Sequence, residues 1–166
     1  MKILFRVSEV DRLFLILFEQ ILPQMKKNKL VVEHLYEFEL LGFVAPVKDY
    51  KMAWIINNAL DLKLAKTDDY ELEFISGTRL CISQYKSEKE NGFIQLLKNK
   101  SFGLDTNSLY LIPELKIIDY FLLIQDFTSE VDINDYIERL SGNGLIQNVV
   151  KLDIDKIKSK ENLLTY

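Results

Sequence analysis

The chain is poor in the residues that most often carry covalent chemistry, ligate metals or break chain direction: 166 residues contain one cysteine, one histidine, three prolines and six glycines. Cys81 has no partner for an intramolecular disulfide, so nothing in the chain calls for an oxidising compartment, and a cytoplasmic location is expected. One His and one Cys leave the soft ligands of a zinc site missing, and there is no EF-hand loop for a hard cation. G-x-G-x-x-G, Walker and G-x-S-x-G patterns are absent too, so neither metal nor cofactor is expected. There is no excess of positive charge: 21 basic against 25 acidic residues give a net charge of −4, which exerts no long-range pull on phosphate backbones. Nucleic acid is therefore not an expected partner. The longest apolar stretch, "LFLILFEQIL" at 13–22, is interrupted by Glu19 and Gln20 and closed by Pro23. That is well short of the ~20 residues that span a bilayer, and without a small-residue cleavage site it does not read as a secretory signal, so no membrane association is expected.

What the chain does have is 48% hydrophobic and 11% aromatic residues, enough for a sizeable core in one domain. Residues 30–41 alternate. Leu30, Val32, His34, Tyr36, Phe38 and Leu40 share one face and Glu33, Glu37 and Glu39 the other, which predicts a half-buried strand ended by Gly42 and Pro46. "KDYKMAWIINNAL" at 48–60 predicts a helix capped by Asp49, with Ala53, Ile56 and Leu60 on one stripe and Trp54 flanking it. Short alternating runs at 61–66, 70–75, 79–86 and 93–98, with turns at Gly77 and at Asn91-Gly92, predict an antiparallel meander. A strand at Leu109–Ile112, a turn at "PELK" and a nearly continuous apolar strand at 117–124 come next. "TSEVDINDYIERLSGNG" predicts a second helix with a Ser129/Asp132 start and an Ile133, Ile137, Leu140 stripe, and "LIQNVVKLDID" a last strand.

The order strand, helix, meander, strand, helix, strand predicts an α+β fold: a single domain with a mixed, mainly antiparallel sheet and two crossover helices on one face, an elaborated split βαβ of ferredoxin-like flavour. "MKKNK" at 25–29 resembles a translation start, so residues 1–24 read either as an artefact of an upstream start or as a helix over about 9–22 with Leu13, Leu17 and Ile21 on one stripe. The α+β domain is placed at 25–166.

The phrase "IPELKIIDY" at 112–120 sets a proline and two acids between apolar runs. Asp119 is expected beside Ile117, Phe121 and Leu123, where a carboxylate is costly unless it is bonded. It is expected to accept from backbone amides of the preceding turn, or to pair with a cation in "KIKSK" at 156–160; the competing role is that of a general base. Glu114 is expected to face water, and no histidine, arginine or phosphate loop accompanies the two acids for paired acid/base chemistry. His34 on an apolar face reads as a core or sheet-rim histidine, and Cys81 in a strand as buried and inert. Glu33, Glu37, Glu39, Glu71 and Glu73 predict one acidic sheet surface, the reverse of an RNA-binding face. In "KSKENLL", Ser159 is expected to cap a terminal turn and Leu163 and Leu164 to dock, with the segment lining a groove beside Asp119.

"IPELKIIDY" resembles the signature of the IPExxxVDY family of small bacterial proteins, with Ile118 where that pattern has valine. The likeness extends to "DYKMAWIINNAL" at 49–60 and "LDIDKIKSKENLL" at 152–164, and so covers roughly residues 29–164. It implies pattern membership for Ile112, Pro113, Glu114, Ile118, Asp119 and Tyr120, but no assigned activity and no catalytic residue. The candidate structural or binding signature is thus Pro113, Glu114, Asp119, Tyr120, Lys158 and Lys160. The expected function is a non-enzymatic interaction or regulatory module with a protein partner, a second copy of itself included. The alternative is a small-molecule-binding domain with a pocket between the 112–120 turn and the C-terminal tail.

Overall fold

A computed structural model of the chain describes residues 36–74, 77–102 and 109–164. The chain divides into two compact units, residues 1–35 and 36–166, and every described residue belongs to the second. The expectations for residues 1–24, for the start at Met25 and for Leu30, Val32, Glu33 and His34 lie outside the described residues.

Described residues form eight strands, two α-helices and three short 3-10 turns. The elements are β1 (Glu39–Val44), α1 (Asp49–Leu60), β2 (Ala65–Lys66), β3 (Tyr70–Glu73), β4 (Arg79–Ile82), β5 (Gln84–Lys89), β6 (Gly92–Lys98), β7 (Tyr120–Asp126), α2 (Ile133–Ser141) and β8 (Asn148–Leu152). Six strands make one sheet in the order β2-β5-β6-β7-β1-β8, and β3 and β4 pair as a separate hairpin. Every pairing among them is antiparallel. The fold is α+β. Because β1 lies antiparallel between β7 and β8, the unit β7-α2-β8 is a split βαβ. The run β8-β1-β7-β6 has the strand order of a ferredoxin-like sheet, with β2 to β5 inserted after α1.

Alternation along the central strands sorts the core into two faces. Leu41, Phe43, Ile94, Leu96, Tyr120, Leu122 and Ile124 meet α1 and α2 on the helix-covered face. Leu40, Leu97, Phe121 and Leu123 point to the outer face, covered by Leu80 and Ile82 of the β3–β4 hairpin, by Leu111, Ile112 and Ile118, and by Ile157 and Leu163 of the tail. The chain itself thus covers both faces.

Several boundaries differ from the sequence reading, each for a local reason. Gly42 does not end β1 but sits inside it; a Cβ there would press on Leu152 and Ile118, so the glycine makes room for Ile118 on the outer face. Asp49 is the first residue of α1 rather than its cap, and Lys48 occupies the cap position with no side-chain bond. The run 79–86 breaks at Ser83, so that β4 faces the outer cluster while Tyr85 of β5 faces the helices. Ser129 stands outside α2 with a φ of 57°, and Asp132 alone caps the helix by accepting from the amides of Asn134 and Asp135. At the β5–β6 turn, Gly92 has a φ of 146°, and a Cβ would lie 2.0 Å from the carbonyl oxygen of Gln125. Only glycine fits there.

Candidate functional site

The signature stretch is organised by a residue that the sequence reading passed over. Asn99, fully buried just after β6, makes five hydrogen bonds to the segment 111–119. Its side-chain amide donates to the carbonyls of Leu115 (2.9 Å) and Ile118 (2.8 Å), and its Oδ1 accepts from the Ile112 amide (2.9 Å). Its backbone amide donates to Asp119 and its carbonyl accepts from Leu111, both at 2.8 Å. Nothing polar on this asparagine is left without a partner, which is the condition for burying it without a large penalty.

This hub explains why the predicted strand 109–112 does not form. Among the described residues the pairing there is a single bridge between Lys100 and Tyr110, flanked by the Ser101–Leu109 and Leu111–Asn99 backbone bonds, and it ends where the Asn99 side chain takes the Ile112 amide. It also delays the next strand. Residues 113–115 form a 3-10 turn with Pro113 at its first position, Ile118 donates back to the Leu115 carbonyl, and β7 begins only at Tyr120. Ile117, expected beside Asp119 on a strand face, is instead 75% exposed.

Asp119 is tied to β1 and its exit. Its Oδ2 accepts from the Ala45 amide at 2.8 Å, and its own amide donates to the Phe43 carbonyl at 2.8 Å. The expected bonding partners, the preceding turn or a cation at 156–160, are therefore replaced by an amide 74 residues away. Lys158 is exposed, Lys160 pairs with Asp155 at 3.1 Å and lies over the Tyr36 ring, and among the described residues neither lysine pairs with Asp119. Tyr120 is buried, and its hydroxyl donates to the Val47 carbonyl at the entrance to α1. Burial first, then the carboxylates of Asp49 and Asp119, drive its phenol well above the ordinary range, so it stays a neutral donor.

Glu114 faces out from the turn and grips the tail: Oε1 accepts from the Ser159 amide at 2.8 Å and Oε2 from the Ser159 hydroxyl at 3.0 Å. Burial alone would raise its carboxyl, but the Ser159 amide and hydroxyl outweigh that and leave it below the ordinary value. The Ser159 hydroxyl is thereby taken up by Glu114 and does not cap the last turn. Leu163 docks in the outer-face core as expected. The two acids of the signature thus engage different partners: Glu114 holds the tail, and Asp119 holds the end of β1.

A second polar cluster lies under the start of α1. Burial opposes the charge on Asp49, yet the nearby Ser83 hydroxyl, the helix amides and Lys98 bring its carboxyl below the ordinary value. Burial and Asp49 in turn raise the Tyr85 phenol, whose hydroxyl lies 3.5 Å from Asp49 Oδ2. Ser83 is almost fully buried, and its hydroxyl meets no partner at hydrogen-bonding geometry.

Elsewhere, Cys81 is half-buried in β4, and burial with the neighbouring Asp69 and Glu71 pushes its thiol up, away from thiolate chemistry. No group of three or more His, Cys, Asp or Glu side chains among the described residues is placed to hold a metal. A groove of about 760 Å³ runs between Lys89–Asn91 and the β7–α2 loop with the first turn of α2, with Glu90, Asp126, Glu130 and Asp135 on its walls. Asp126 is engaged within that loop: it accepts from the Thr128 hydroxyl and from the amides of Thr128, Glu130 and Val131, which brings its carboxyl down to about 2. The predicted acidic sheet surface is not assembled from the described glutamates. Glu71 and Glu73 belong to the separate β3–β4 hairpin, and Glu39 pairs with Lys151 at 2.9 Å. No helix among the described residues is long and apolar enough to cross a membrane. Compared with family models, curated proteins and solved structures, the chain finds no match.

Proposed function

We propose that the chain is a non-enzymatic interaction module of the cytoplasm that presents the outer surface of α1 to a protein partner. The observation that carries this reading is the helix's two-sidedness. Met52, Ala53, Ile55, Ile56 and Leu60 are buried against the sheet, while Tyr50 and Trp54, one turn apart on the far side, stay 60% and 55% exposed. Tyr and Trp are the side chains that most often anchor interfaces, and Lys51 lies 4.0 Å over the Trp54 ring, adding a charge to the aromatic pair. Under this reading the likeness of residues 112–120 to the IPExxxVDY pattern, and the family membership it suggests, reflect a shared structural joint rather than a shared active site.

The test compares wild-type and Trp54→Ala chains by sedimentation and by affinity capture from the native host. A dimer that dissociates in the variant, or one defined partner retained only by wild type, supports the reading. Identical behaviour of the two chains in both experiments contradicts it.

A further inference from the structure

The chain beyond β8 is attached to the rest of the domain at few points. Among the described residues, 153–164 pair with no strand, and the backbone bonds of this stretch close on themselves: Lys156 donates to Asp153, Ile157 to Ile154, Asn162 to Ser159 and Leu164 to Glu161. Outward polar attachments are the two bonds from Ser159 to Glu114, one from the Asn162 side chain to the Leu111 carbonyl (2.8 Å), a long one of 3.5 Å from the Tyr70 hydroxyl to the Leu164 carbonyl, and the Lys160 ammonium 4.9 Å over the Tyr36 ring. Ile157 and Leu163 are the two tail side chains fully within the outer-face cluster, which also holds Leu80, Ile82, Leu111 and Ile112, and Ile154 packs half-buried against it. A segment built of local turns, with two apolar anchors and few polar ties, is the kind that opens below the free energy of global unfolding. Of its ties, the bonds to a carboxylate are the strongest in kind.

We propose that residues 157–164 form a releasable strap, latched through Ser159 onto the Glu114 carboxylate. When it lifts, it uncovers an apolar groove between the β3–β4 hairpin and the 111–118 segment while the six-stranded sheet stays folded. The occupant of that groove is the chain's own tail. The inference is independent of the reading of α1, because it uses none of the same residues.

Hydrogen exchange on the full chain, read residue by residue, tests it. Glu114→Ala is expected to speed exchange of the Ser159, Asn162 and Leu164 amides by about ten-fold or more, the scale of losing charge-assisted bonds, with the β1–β7 ladder unchanged. Ser159→Ala keeps the backbone bond to Oε1 and is expected to give a smaller acceleration in the same amides. Tail exchange is expected to be independent of protein concentration. Three results would overturn the proposal: tail amides as slow in Glu114→Ala as in wild type, tail and ladder amides accelerating together, or tail protection that grows with concentration and so reports a tail supplied by another copy.

Discussion

The two faces of the central sheet are both covered, yet they are closed by different means. The helix-covered face is sealed by α1 and α2, whose apolar residues recur at helical spacing and meet Leu41, Phe43, Leu96 and Leu122. On the outer face the cover is a short hairpin, a 3-10 turn and a tail, held in place by individual hydrogen bonds that the Asn99 amide donates and the Glu114 and Asp119 carboxylates accept. Regular elements satisfy their own backbone groups, so the first face can rely on volume and shape. Irregular segments cannot, so the second needs side chains to stand in for ladders. In this molecule the signature phrase belongs to the second kind.

The contrast is broken most severely on the helix-covered face by removing volume. Leu122→Ala, in the middle of β7 and fully buried, is expected to lower the unfolding free energy by about 2–5 kcal/mol in urea titrations, the range for core leucines. On the outer face the sensitive change is polar rather than volumetric. Asn99→Leu keeps the size but strips the partner from the Ile112 amide and from the Ile118 carbonyl, while the Leu115 carbonyl keeps the Ile118 amide, and about 2–4 kcal/mol should be lost as buried groups go unpaired. If this variant kept wild-type stability, the outer face would be an ordinary apolar core and the contrast would disappear.

Acid sharpens the same comparison more gently. Asp126 is held at about 2, against an ordinary 3.8, by the Thr128 hydroxyl and the loop amides. Glu114 lies below its ordinary 4.5 through its bonds to Ser159. A carboxylate depressed in the folded state contributes stability that is complete above its unfolded pKa and is lost as the pH falls through its folded one. The thermal midpoint should therefore hold at neutral pH and decline from about 4.5 down to about 2, with Asp126→Asn flattening the lower part of that decline. A midpoint insensitive to acid over this window would remove both carboxylates from the account.

These differences also mark how far the sequence can be read. Elements with a period were legible: the two helices, the apolar runs of β6 and β7 and the turns at Gly77 and Gly92 each announce themselves through spacing within a dozen residues, whereas the alternation at 30–41 placed the first strand too early, since β1 runs from Glu39 to Val44. Trp54 on the flank of the α1 stripe could be placed for the same reason. The joint was legible only in part. Asp119 could be singled out as an acid that needs a partner, but its partner is a backbone amide at Ala45, and amides carry no letter in the sequence. Glu114 and Ser159 lie 45 residues apart, and no local pattern links them. Asn99 reads as one more polar residue in the loop "NKSFGLDTNS". The signal that could have found it is its position directly behind the apolar run of β6, where a buried strand end needs a polar stop.

The claim that "IPELKIIDY" is a structural joint is tested most directly by equilibrium unfolding of Asp119→Ala, followed by the emission of the single tryptophan, Trp54. A loss of about 1–2 kcal/mol at an unchanged denaturant slope is expected, since the Ala45 amide loses its acceptor at the exit of β1. A variant as stable as wild type would contradict it and return Asp119 to the list of residues kept for something other than the fold.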